Sequence, residues 1–108
     1  MIRLCVYLFV LLAAGRVAIA QDTKAGEKVY VDQKCSLCHS VGGKGNVKGA
    51  LDDVGRKLSA DDIRAWLVDA KAMTAKTSAT RKPEMKAYAL PKADVDALVA
   101  YLVTLKKT

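Results

Sequence analysis

The 108-residue sequence predicts one all-α domain with three main helices. Three segments repeat apolar residues at helical spacing, and no stretch alternates apolar with polar residues over the length of a strand. A third observation says what the helices surround. Cys35-Ser36-Leu37-Cys38-His39 reads C-x-x-C-H, the attachment pattern of a c-type haem.

The first helical segment runs from about Thr23 to Lys34, with Asp22 as candidate N-cap. Ala25, Val29 and Gln33 share one face, with Gly26 and Tyr30 beside it, and the segment leads straight into the cysteine motif. The second runs from about Ala60 to Ala72. Ser59 and Asp62 open it as a capping box, and Ile63, Trp66, Leu67 and Ala70 keep the i, i+3, i+4, i+7 rule. The third runs from about Lys92 to Lys106. Pro91 stands at its start, Asp94 and Asp96 suit its positive end, and Lys106 and Lys107 suit the other. Val95, Leu98, Val99, Leu102 and Leu105 make its apolar stripe.

Between these lie two loops. Ser40 to Gly49 holds four glycines, at 42, 43, 45 and 49, so it can bend tightly and approach a planar ligand. It lacks the order of a phosphate loop. Met73 to Leu90 is long and polar, centred on Arg81-Lys82-Pro83-Glu84-Met85, and a loop of that length in so small a domain is functional or disordered.

The motif's spacing suits its chemistry. Two thiols add across the haem vinyl groups, and the next residue sets an imidazole under the iron. His39 is the only histidine in the chain. Two other readings of C-x-x-C exist: a thioredoxin-like pair, which needs a βαβ context, and half of a zinc site, which needs two more ligands. Outside the motif only Cys5 remains.

Cys5 falls in a segment that reads as a secretory signal. Arg3 gives a positive start, Leu4 to Ala14 is an uncharged apolar run, and Ala18-Ile19-Ala20 fits a cleavage site before Gln21. The run is shorter than the ~20 residues that span a bilayer, and Arg16 interrupts it, so no stable membrane insertion is expected after cleavage. Residues 1–20 are therefore read as a cleaved bacterial Sec-type signal and residues 21–108 as the mature domain, in the periplasm. Cleavage removes two cations and no acid, taking the net charge from +7 to +5. With Cys35 and Cys38 consumed by thioethers, no disulfide is available, and a large apolar haem supplies core volume that a chain this short lacks. The positive charge is either a solvated surface or a basic face that docks on an acidic redox partner. Nucleic acid is not expected, because no basic cluster is interleaved with aromatics.

The mature chain resembles a class I cytochrome c over nearly its whole length. The order of elements matches: N-terminal helix, C-x-x-C-H, Gly-rich loop, middle helix with Trp66, a Met-bearing loop and a last helix containing Leu98-Val99-Ala100-Tyr101-Leu102. The resemblance implies a small cytochrome c fold, three main helices wrapped around one covalently bound haem c. It implies that the first and last helices cross where Gly26, Tyr30, Leu98 and Tyr101 meet. It also implies Met85 as the iron's second axial ligand opposite His39, from its place in the loop before the last helix. Met73, at the end of the middle helix, reads as core filling. Lys ligation and an open sixth site are the other coordination readings. Trp66 is a candidate donor to a haem propionate, and Arg56 and Tyr88 are further haem contacts. Two departures stand out. The family often carries Gly-Pro before the Leu of L-x-x-V-G, and the Pro carbonyl accepts the haem histidine's ring proton. Here Gly49-Ala50-Leu51-Asp52-Asp53-Val54-Gly55 has no proline, so a carbonyl between Lys48 and Ala50 is expected to serve. Nor does a proline follow Met85: Pro83 precedes it and Lys86 follows.

The function implied is that of an exported, soluble one-electron carrier between larger redox proteins, and not an enzyme. Its alternatives are an electron-transfer subunit of an oxidoreductase complex and an open-site haem protein that binds gases or peroxide.

Overall fold

The structure, a computed structural model, describes residues 23–107. The expected signal, its cleavage site and the candidate cap Asp22 lie outside them. Helix α1 covers residues 23–32 and ends as Lys34 turns into the left-handed region at φ 56°. A 3-10 turn, Cys35–Leu37, follows, then a hairpin of β1 (Ser40–Val41) and β2 (Lys44–Gly45) paired antiparallel. A second 3-10 turn, Val47–Gly49, leads to the single-turn α2 (Val54–Lys57). Helices α3 (Ala60–Val68), α4 (Ala70–Thr77) and α5 (Lys92–Leu102) complete the order.

The three main helices stand where periodicity puts them, with a difference at the edge of each; α1 stops at residue 32, short of the expected Lys34. The middle helix does not run through to Ala72. It breaks at Asp69, whose ψ of 55° is non-helical, and resumes as α4 to Thr77. Aspartate is a poor interior helix former, because its short carboxylate competes for nearby backbone groups. The loop expected from Met73 is shortened accordingly, and Met73 is buried within α4, in the core-filling place expected of it. The last helix ends at Leu102, because the chain tightens there into 3-10 bonding: Thr104 N–H reaches Tyr101 O and Leu105 N–H reaches Leu102 O, both at 3.1 Å. The small hairpin was not foreseen, since two-residue strands are too short to show alternation.

The core lies between α5, α3 and α1. Tyr30, Ile63, Leu67, Val95, Leu98, Val99, Tyr101 and Leu102 form one buried cluster. Full burial of an aliphatic or aromatic side chain contributes roughly 1.5–3 kcal/mol, so this cluster is the main source of stability. On α1 the buried residues are Gly26 and Tyr30, while Ala25, on the face expected to share in packing, is exposed. A methyl at Gly26 would strike Ala97 O and Tyr101 Cβ, so the α1 and α5 backbones touch there. Beside that contact the Tyr30 and Tyr101 rings meet edge to face, centroids 6.0 Å apart. The crossing thus uses Gly26, Tyr30 and Tyr101 as the resemblance implies, with Ala97 added. On the outer side, Asp96 pairs with Lys92 at 2.8 Å and with Arg64 of α3 at 2.7 Å, exposed ties that water screens.

Candidate haem site

The cysteine motif begins where α1 stops. His39 N–H and Cys38 N–H both donate to Cys35 O, at 2.9 and 3.1 Å, so the two thiols sit one turn apart. Cys35 is half-buried and packs on the core cluster, whereas Cys38 is exposed. Burial pushes the Cys35 thiol up. The Tyr30 phenol beside it is pushed up to about 12, mainly by burial and next by the Cys35 charge. Its hydroxyl is buried without a hydrogen-bond partner.

The loop after His39 is stitched by hydrogen bonds. Gly42 and Gly43 take φ of 60° and 78° at the hairpin turn, a conformation that side chains resist. Asp52 Oδ1 accepts from Gly42 N–H at 2.7 Å, and Leu51 N–H donates to the buried Ser40 at its carbonyl, 2.8 Å away. Gly45 has φ 108°, and a Cβ there would meet His39 O and Ser36 O. Asn46 does most of the joining. Its N–H reaches His39 O at 2.9 Å and Ser36 O at 3.1 Å. Its side-chain oxygen caps the second 3-10 turn through Lys48 N–H at 3.1 Å, while its amide reaches Leu37 O at 3.4 Å.

That 3-10 turn delivers the acceptor the sequence left open. His39 Nδ1 lies 2.9 Å from Gly49 O. A carbonyl can only accept, so Nδ1 carries the proton and Nε2 is left as the lone-pair nitrogen, with no partner among the described residues. Burial lowers the imidazole pKa, and the Arg81 guanidinium lowers it further against the opposing effect of the Gly49 carbonyl. A neutral imidazole with a free Nε2 is the form that binds a metal.

Met85 comes from the other side of the chain order. It is half-buried and packs on the same core cluster as Cys35. Its loop is held on either flank. Beyond it, Tyr88 N–H donates to Leu67 O at 2.8 Å. In an unbroken helix that carbonyl would serve residue 71, so the break at Asp69 releases it for the loop. Before it, Arg81 Nη2 donates to Cys38 O.

The weaker candidates divide. Tyr88 is half-buried, and its phenol is pushed up by burial and then by the Cys35 and Cys38 charges. Lys86 Nζ lies 5.9 Å from the centre of its ring. Trp66 is half-buried on α3, and its indole N–H has no hydrogen-bond partner among the described residues. Arg56 is exposed on α2 and pairs with Asp53 at 3.6 Å. Sequence reasoning missed Asn46 and Arg81. An Asn two residues before a turn's second N–H is a weak capping signal. Arg81 had none.

Comparison with protein families matches the description cytochrome c over residues 23–106. The chain belongs to the cytochrome c family. Neither the curated proteins nor the solved structures compared give a match. The cytochrome's fold is the small all-α one expected, and its cofactor is covalently attached haem c. Its residues fit that group. Two thiols share one turn, one imidazole has its second nitrogen free, and one half-buried thioether lies on the core that also holds Cys35. The family's activity is haem-based electron transfer with redox partner proteins. No helix among the described residues is long and apolar enough to cross a membrane.

Proposed function

We propose that this cytochrome is an exported one-electron carrier, not an enzyme, with His/Met axial ligation. Cys35 and Cys38 would hold the haem by thioethers, and His39 Nε2 and the Met85 sulfur would be the residues that ligate its iron. The observation that carries the reading is the His39 Nδ1 to Gly49 O bond of 2.9 Å, which commits the ring to one tautomer and aims its lone pair elsewhere.

The haem supplies a metal that changes oxidation state by one electron; the chain decides what else can happen there. Gly49 fixes the imidazole's orientation and tautomer and raises its basicity, while burial is what keeps the ring neutral. Met85, held by its loop, would exclude oxygen and peroxide from the iron, which favours electron transfer over activation chemistry. In this reading Tyr88 is a further haem contact, and the half-buried Trp66 would offer its N–H to a propionate. Arg56 is the remaining propionate candidate, although its carboxylate neighbour Asp53 competes for it.

Residues 1–20 serve as a cleaved signal, which puts the domain in the periplasm. Support comes from the sequence pattern and from the export typical of cytochrome c domains. Exposed lysines leave a basic surface for acidic redox partners, in weak and fast encounters. Replacing Met85 with Ala is expected to abolish the sulfur-to-iron charge-transfer band of the ferric protein; a band that persists removes Met85 from the iron. Mass measurement of the exported protein is expected to show Gln21 as its first residue.

A further inference from the structure

We infer that Arg81 is a positioning residue: it clasps the Met85 loop to the haem-attachment turn and sets how readily Met85 leaves the iron. The inference rests on Met85 being the axial ligand. It goes beyond that reading by naming what holds the ligand in place.

Among the described residues, the one backbone hydrogen bond formed by residues 80–90 is that of Tyr88 N–H to Leu67 O. It lies on the C-terminal side of Met85. On the N-terminal side the loop's tie to the rest of the chain is a side chain. Arg81 Nη2 donates to Cys38 O, 43 positions away in sequence. That carbonyl belongs to the residue joined to His39, so one guanidinium connects the segments carrying both proposed ligands.

Gly49 shows that the space is shaped for it. A Cβ at this glycine would collide with Arg81 Nη1 and Cζ and with Cys38 O. The Gly49 φ is not in the left-handed region, so room and not backbone freedom is what a side chain would forfeit. The residue whose carbonyl takes the His39 proton is therefore also the floor of the guanidinium niche. A planar, forked cation suits a niche bounded by a carbonyl and a bare backbone, and an ammonium does not reproduce it.

The test uses the haem-loaded ferric protein, with imidazole as displacing ligand and the charge-transfer band as readout. Arg81→Ala is expected to keep the band without imidazole. It is expected to lose the band about tenfold faster than the parent protein on addition, the scale of one lost charge-assisted hydrogen bond at a solvent-exposed site. Arg81→Lys is expected to fall between the two. An unchanged displacement rate in Arg81→Ala overturns the inference. Should that variant fail to fold, an unchanged rate in Arg81→Lys overturns it equally. Failure of the underlying ligand reading is seen separately, as a band that survives Met85→Ala in an otherwise parental protein.

Discussion

Two loops carry the proposed iron ligands, and they are built in opposite ways. The His39 loop, residues 35–51, is sewn by backbone bonds at almost every step, with Asn46 joining its two 3-10 turns. The Met85 loop, residues 80–90, has one backbone tether and one arginine among the described residues. Local opening follows the density of such bonds, so the histidine side is fixed with the global fold while the methionine side opens at lower cost. The difference teaches that a permanent attachment and an exchangeable ligand need different amounts of backbone order.

The strongest blow to the comparison falls on the histidine loop. Gly45→Val combines a φ of 108° with a Cβ driven into His39 O and Ser36 O. It is expected to destabilise the domain by roughly 3 kcal/mol or more, read as a lower denaturant midpoint. Asn46→Ala removes a turn cap and is expected to cost about 1 kcal/mol. If either change left the midpoint untouched, the stitched loop would not be part of the cooperative fold.

Smaller changes probe the methionine side. Ser78 ends α4 in the left-handed region at φ 55°, with Ala79 N–H on Thr74 O and its own N–H on Ala75 O. Ser78→Gly relieves that conformation and is expected to stabilise by about 0.5–1 kcal/mol; a fall in midpoint contradicts it. Least of all, Glu84→Gln breaks an exposed pair with Lys82 and is expected to leave the neutral-pH midpoint within error. Lys82 holds the Glu84 carboxyl below its usual range. The stability from a lowered carboxyl pKa is fully present above the unfolded value and is lost as pH falls through the folded one. Any effect of Glu84→Gln should therefore vanish in acid.

What was legible in the sequence follows the same division. The cysteine motif, the three main helices and the crossing glycine are local or periodic, and both kinds of signal survive in one dimension. Which carbonyl between Lys48 and Ala50 meets His39 depends on how the second 3-10 turn closes, and that is set by Asn46 and not by the acceptor's own side chain. Arg81 is a single exposed cation whose partner lies 43 residues away, so no spacing announces it. The break at Asp69 was hidden because Ala70 continues the apolar stripe on its far side.

The contact of Gly26 with Ala97 has a consequence for the order of events during synthesis. The first described helix has its partner in the last described one, so Tyr30 and Leu98 cannot share a core until both ends of the domain are available to meet. Such a long-range contact costs loop entropy before it returns any stability, which delays closure. Through that interval the cysteine motif stays an open peptide within reach of whatever machinery joins it to haem. Once α5 docks, Cys35 is packed half-buried against the core and only Cys38 stays exposed, so attachment is easiest before that docking.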